Sequence, residues 1–520
     1  MDNTKKEFNK IISHKDVYTD SSAEYILPDY NGDVRKILLT KAEVHPSGKF
    51  AEGDEMEFSG IVVYNVVYTD SENKISSVNF TSDYEYAVKC SHEKLKDAYS
   101  DTRVANYQIR LIGPRKISAK ATLSSSVSVV ESEEILVVGS AFEKNSLPEM
   151  ATAVVKCRNL LSSASVEREY AESVEHLDGA IADEVRIVYC SADVSVDNIE
   201  VGNDHLTLFG KLKMMAIISN AEAPAYPVEK TVPIEAEIPF EGISNDMRFI
   251  PEITVTSVKG TVNADDTGSD IVMSVIVEFS ALAERNDTME LISDAYNTTC
   301  VTENTYTDFD YEELCDVVLI RDNFSAEIAR DGIDAENIRE IVLSDVTAKI
   351  ESSEIGDEGV LINGEFRFCA ITSDINDDGS VLYSSLKISA PYSKNVKINL
   401  QNAGNLRANT KVLPKNVSVT LDANNLYVSA SVDVFVEVIS GKIRRVLSSC
   451  DEREELPFEK RGPRVTVYYP SSNETLFSVA KKFHVTSMKL AEDNSLTESV
   501  SKTSDASEYK LSSIKRLIIT

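Results

Sequence analysis

One short pattern occurs three times in this 520-residue chain, and a repeat at domain spacing constrains the fold more than any single motif. VRKIL at 34–38, VRIVY at 185–189 and IREIV at 338–342 each place an arginine inside an apolar run, so that Arg35, Arg186 and Arg339 mark one register. A second landmark follows in every copy, where Gly60, Gly210 and Gly364 open a run of strand-forming residues. Each run is followed by a polar turn (TDSENK, SNAEAP, SDINDDG) and a second β-patterned stretch, which is the signature of a β-hairpin. Farther along each copy, apolar residues alternate with polar ones: Val428, Ala430, Val432, Val434, Val436 and Val438 in the third, Met273, Val275, Val277 and Phe279 in the second, and Val127 and Val129 in the first. A period of two puts one face in a core and the other in water.

The expected fold is therefore mainly β: three tandem β-sandwich-like domains over residues 26–176, 177–329 and 330–455, preceded by a loose or helical lead-in at 1–25. The charged stretches 166–184 and 324–340 read as short helices between copies, and 94–108 and 145–161 as extra helical material in the first copy.

Residues 461–520 have a different pattern. Leu476, Val479, Ala480 and Phe483 fall at i, i+3, i+4 and i+7 on one helix face, with Lys481 and Lys482 on its polar side. Thr486 or Ser487 can cap a second short helix carrying Met488, Leu490 and Ala491 and ending near Asn494. With VTVYY (465–469) before and RLIIT (516–520) after, the order is strand, helix, helix, strand: a small two-layer α/β domain with Leu476, Val479, Phe483 and Leu490 in its core.

Charge separates the two parts. The chain carries a net −32, yet residues 461–520 hold nine Lys and Arg against six Asp and Glu, which leaves −35 on residues 1–460. So acidic a body repels nucleic acid and anionic membrane. The opening MDNTKKEFNKIISHKD has no apolar run of signal-peptide length, and no stretch reaches membrane-spanning length, which predicts a cytoplasmic protein. Seven cysteines at irregular spacing, without a C-x-x-C pair, predict reduced thiols.

Catalytic constellations are absent from the sequence. The six histidines are scattered, with none three or four residues from another, and neither a G-x-S-x-G elbow nor a phosphate-cradling glycine loop occurs. Ser478-x-x-Lys481 lacks the companion motifs of the penicillin-binding enzymes and reads as helix surface. Asp374, Asn376, Asp378 and Gly379 spell half of a calcium loop, but Ser385 stands where a bidentate glutamate is required, so hairpin-turn chemistry accounts for them. No enzyme activity, metal or cofactor is expected.

The terminal module resembles the LysM domain, on Thr475-Leu476, Val479-Ala480, Phe483, Val485, Leu490, Asn494, Leu496 and Leu517-Ile518-Ile519. In LysM families a glycan lies between the loop before the first helix and the loop after the second. Here Asn473-Glu474 replaces the usual glycine-aspartate, the glycine before the last strand is missing near Lys515, and 497–514 is about ten residues longer than the pattern. Those departures disfavour sugar binding. Repeated β-domains followed by one LysM, with motifs such as YILPDYNGDVRKIL (25–38), make the whole chain resemble the SipL-type spore coat morphogenetic proteins, built from SPOCS domains and a C-terminal LysM. The resemblance implies a scaffold in the mother-cell cytoplasm at the forespore surface. Its LysM is implied to bind a stage IV sporulation protein A-like coat ATPase, with other coat proteins meeting the β-domains. The residues expected to meet the partner are Ser472, Asn473, Glu474, Thr475, Asn494 and Ser495 at the loop rim, with Lys481, Lys482 and Lys489 for charge steering. The alternative is a protein that binds peptidoglycan or chitin.

Overall fold

A computed structural model describes residues 3–520 apart from 30, 139–147, 179–184, 221–223, 265–267, 330–339, 376–379, 399–404, 422–424, 458–464 and 501–508. The first repeat contains β1 (Asn3–Ile26), β2 (Val34–Glu52), β3 (Glu55–Asp70), β4 (Ile75–Lys89), β5 (Leu95–Gly113) and β6 (Lys116–Val138). These form two antiparallel sheets, β2-β3-β4 and β1-β6-β5. The alternating residues of β6 (Ile117, Ala119, Ala121, Leu123, Val127, Val129) face Phe58, Val62, Tyr64 and Tyr68 of β3, which makes the unit a sandwich.

The second repeat follows the same plan with its first strand divided: β7 (Pro148–Ser162), β8 (Val166–Asp178), β9 (Val185–Val201), β10 (His205–Asn220), β11 (Tyr226–Pro239), β12 (Arg248–Ala264) and β13 (Gly268–Asn297). Both β7 and β8 pair with β13. The third comprises β14 (Cys300–Ala329), β15 (Glu340–Gly356), β16 (Gly359–Ile375), β17 (Val381–Lys397), β18 (Leu406–Leu421) and β19 (Asn425–Pro457), in sheets β15-β16-β17 and β14-β19-β18. The valines of β19 from Val428 to Val438 are buried at every second position, as the alternation requires.

Strand pairing and core packing group residues 3–138, 148–297 and 300–457, so that β1, β7 with β8, and β14 each belong to the repeat whose sheets follow them. Residues 3–26, expected as a lead-in, form β1 and run antiparallel to β6 along its length. The stretches expected as helices are strands as well: 166–178 is β8, 324–329 ends β14, 95–113 is β5 and 148–162 is β7. Residues 179–184 and 330–339, including Arg339, lie outside the described residues. In β14, Phe324, Ala326 and Ile328 alternate inward onto the third core while Ser325 and Glu327 point out, so the charges belong to one strand face. In β8, Tyr170, Val174 and Leu177 pack inward while the acidic residues line an exposed sheet edge, where charge discourages pairing with other chains.

The recurrent glycine has a backbone cause. Gly60, Gly210 and Gly364 lie in the central strands β3, β10 and β16, opposite register breaks next to Pro46, at Phe209/Gly210 and next to Ile350. A Cβ there would run into the carbonyl oxygens of His45, Ser195 and Lys349 respectively. Only glycine lets the bulged neighbour come so close.

The three sandwiches close on one another. Leu38, Leu39 and Val67 of the first repeat, Val188 and Ile217 of the second, and Val342, Leu343 and Ile371 of the third share one cluster. Bonds run around it from repeat to repeat. Ser77 Oγ donates to the Val188 carbonyl, Ala225 N–H donates to Tyr383 Oη at 2.8 Å, and Asn73 Nδ2 donates to the Val381 carbonyl. At the other end of the body the long strands converge, with Val137, Val155, Leu291, Phe309 and Val446 in one cluster. Between these clusters Arg158 bonds to Glu284 at 2.9 Å and to Glu437, linking the second and third repeats.

Candidate functional site

The C-terminal module consists of β20 (Thr466–Tyr468), α1 (Leu476–Phe483), α2 (Ser487–Asp493), the single turn α3 (Thr497–Val500) and β21 (Leu517–Ile519), with β20 antiparallel to β21. The expected strand-helix-helix-strand order is present. Leu476, Val479, Ala480, Leu490 and Ala491 are buried between helices and sheet, and Phe483 packs partly against them. Both helices start on threonine caps. Thr475 Oγ1 accepts from Ser478 N–H at 3.2 Å while Ser478 Oγ accepts from Thr475 N–H at 3.0 Å, a reciprocal capping box, and Thr486 caps α2. That box gives Ser478 its role: it starts a helix. His484, in the left-handed conformation at φ 56°, ends it.

The rim is formed by two loops. On one side Ser471, Ser472 and Asn473 are exposed. Glu474 turns back, accepting from Ser471 N–H and Tyr468 Oη at 2.7 Å each, and these bonds, the backbone one first, hold its carboxyl below the usual range. On the other side Asn494 Oδ1 accepts from Ile518 N–H at 2.6 Å and its Nδ2 donates to the Ile518 carbonyl at 2.7 Å, so this side chain is spent on pinning β21. Ser495 is exposed with φ 57°. Residues 509–511, within the extra length, lie against the first loop: Leu476 N–H donates to the Tyr509 carbonyl, Leu511 N–H donates to that of Glu474, and Leu511 is buried in the module core.

The helix-turn end, opposite the rim, docks onto the second repeat. Lys481 Nζ sits 2.6 and 2.7 Å from the carboxylate oxygens of Asp294. Tyr296 Oη donates to the Val485 carbonyl at 2.7 Å, and its ring meets Phe477 edge-on with centroids 5.1 Å apart. Ser487 N–H donates to Glu149 Oε2 at 3.2 Å. Of the three lysines expected to steer a partner, Lys481 faces the body of its own chain. Lys482 donates to Tyr468 Oη at 3.0 Å, and Lys489 donates to the Thr520 carbonyl at 3.1 Å while remaining exposed. The sequence reading missed Phe477, Tyr296, Asp294 and Glu149. A second apolar position on α1, off the core face, was the available signal.

Residues 471–500 match the family model of the LysM domain. This segment is a LysM domain. No curated protein and no solved structure matches the chain. The LysM match marks the segment as a binding module, and its two loops on the free side form the candidate site. No group of three His, Cys, Asp or Glu among the described residues could hold a metal, while Asn376, Asp378 and Gly379 of the half calcium loop lie outside them. No helix among the described residues is long and apolar enough to cross a membrane. A recess of about 360 Å³ lies away from the LysM domain, beside Asn9, Arg158, Glu312 and Arg407 at the junction of the repeats. Within it Arg407 bonds to Glu312 at 2.6 Å.

Proposed function

We propose that the chain is a non-catalytic interaction scaffold in which a body of three fused β-sandwiches holds a LysM domain at a fixed orientation and presents its loop rim to a partner. The observation that carries this reading is the direction of docking: the helix-turn end is seated on Asp294 and Tyr296, while Ser472, Asn473 and Ser495 are exposed on the opposite side. The finer reading is a spore coat scaffold in the mother-cell cytoplasm, at the forespore surface, whose LysM rim meets a stage IV sporulation protein A-like ATPase. Its support is the order of repeated β-domains followed by one LysM, the missing groove glycines, and the 509–511 segment hydrogen-bonded along the first loop.

The test is binding of the purified ATPase to the immobilised full chain. Asn473→Arg combined with Ser495→Arg should weaken binding by about tenfold or more, as expected for central contacts. Absence of binding, or binding indifferent to both changes, would overturn the assignment. The LysM match itself favours one second reading, a glycan ligand at the same rim. Affinity for N-acetylglucosamine oligomers that the same double variant abolishes would establish it.

A further inference from the structure

The LysM domain has a third face, separate from the docked turn and from the rim. Val465, Val467 and Tyr469 point the same way at alternate positions and are 69, 50 and 71% exposed, and Ile518, directly opposite Val467, is 38% exposed. On a two-stranded sheet this is a continuous apolar strip on the side away from the helices. Among the described residues β20 pairs only with β21, so its other edge keeps unpaired backbone donors and acceptors beside the strip. Basic residues border it at one end: Lys515 and Arg516 are exposed at the start of β21, beside the Tyr469 end of β20. Residues 1–460 carry −35, whereas at this strip apolar surface lies beside positive charge.

We infer that the free edge of β20 is a docking site for an extended, acid-flanked polypeptide segment, which adds as a third strand and lays alternate apolar side chains on Val465, Val467 and Tyr469. Main-chain pairing supplies attachment, and the apolar strip with its basic border supplies selectivity. Charge decides among occupants. A second copy of the same face would bring two basic borders together, whereas an acidic segment neutralises one. The site is on a different face from the rim and stands whether or not the rim binds a partner.

The experiment uses the full chain and a fluorescent nonapeptide, Glu-Asp-Val-Thr-Ile-Thr-Val-Asp-Glu, read by anisotropy, with a version whose four acidic residues are lysine as the charge control. The acidic peptide should bind saturably, protect the amides of 465–469 from exchange, and lose about tenfold or more in affinity with Val467→Asp. Val467 is half exposed, so that variant should fold, and unchanged exchange protection in the repeats checks it. No binding, equal binding of the lysine peptide, or indifference to Val467→Asp overturns the proposal. So does strip-dependent binding of phosphatidylserine vesicles in place of the peptide, or self-association of the chain that Val467→Asp abolishes.

Discussion

Lys481 and Asp294 form the ion pair that joins the LysM domain to the second repeat, and Asp294 Oδ1 also accepts from Asn304 Nδ2 at 2.9 Å and Tyr306 Oη at 2.8 Å on β14. The carboxylate therefore sits where the second repeat, the third repeat and the LysM domain meet. Both partners of the pair keep about a third of their exposure, so solvent screens it and its contribution is about 1 kcal/mol. Lys481→Ala should speed amide exchange at Ser487, whose N–H bonds to Glu149, without lowering protection in the repeats. A double-mutant cycle with Asp294→Asn should return a coupling near the same size. Equal exchange at Ser487 in the variant and the parent chain would show that the pair does not hold the domain.

Tyr296 offers a sharper version of the same test. Tyr296→Phe removes one hydrogen bond to the Val485 carbonyl and should cost about 1 kcal/mol of docking. Tyr296→Ala also removes a buried ring in contact with Phe477 and should cost about 3–5 kcal/mol. Limited proteolysis should then cut near residue 460 in the alanine variant at protease levels that leave the phenylalanine variant whole.

The bulge glycines predict a position-specific penalty. Gly210→Ala drives a methyl into the Ser195 carbonyl and should destabilise by about 1–3 kcal/mol, with Gly60→Ala and Gly364→Ala close behind. Gly113→Ala meets nothing nearer than Lys116 Cβ at 3.8 Å and should stay within about 0.5 kcal/mol of the parent chain. Thermal denaturation of the four variants compares these values directly.

The repeat itself was legible because the glycine and the hairpin around it answer to local backbone geometry, which a single copy already encodes. The first strand of each repeat was not. In β1 a bulge between His14 and Val17, with Asp16 at φ 56°, resets the alternation midway, and in β8 an exposed edge is covered with charges that mimic a solvated helix. Closure of the three sandwiches was hidden for a different reason. Leu38, Val188 and Val342 are apolar strand residues like those of any core, and nothing in their identity says that they face another repeat. In the LysM domain the core face of α1 was read from its period, whereas Phe477 lies off that face and acquires its purpose from Tyr296, 181 positions earlier.

At the rim, Asn494 separates a structural role from a binding one. Its carboxamide makes both backbone bonds to Ile518, so Asn494→Ala should free β21 and cost about 2 kcal/mol of LysM stability. Exchange at 517–519 should rise accordingly. Asn473→Ala, on an exposed loop, should leave that exchange unchanged, so a loss of partner binding there would report contact alone.

The buried charges between the repeats should make stability fall with rising pH. Arg407 pairs with Glu312, and Arg158, itself buried, bonds to both Glu437 and Glu284, so two buried carboxyls share one guanidinium. Burial first, and the nearby negative charge of Glu437 next, push the Glu284 carboxyl from 4.5 up to about 8, with Arg158 opposing. The folded chain therefore holds a proton that the unfolded chain releases near its ordinary value. Stability from this group is complete below about pH 4.5 and is lost as pH climbs toward 8, with a slope of at most about 1.4 kcal/mol per pH unit. Glu284→Gln keeps the hydrogen-bonding shape without the titration, so its melting temperature should fall less than that of the parent chain between pH 5 and 8; parallel curves would refute the shift. Arg158→Met would leave the carboxyls without their cation at a cost of about 3–5 kcal/mol, and that loss should be larger at pH 8 than at pH 5, because Glu284 is then more fully charged.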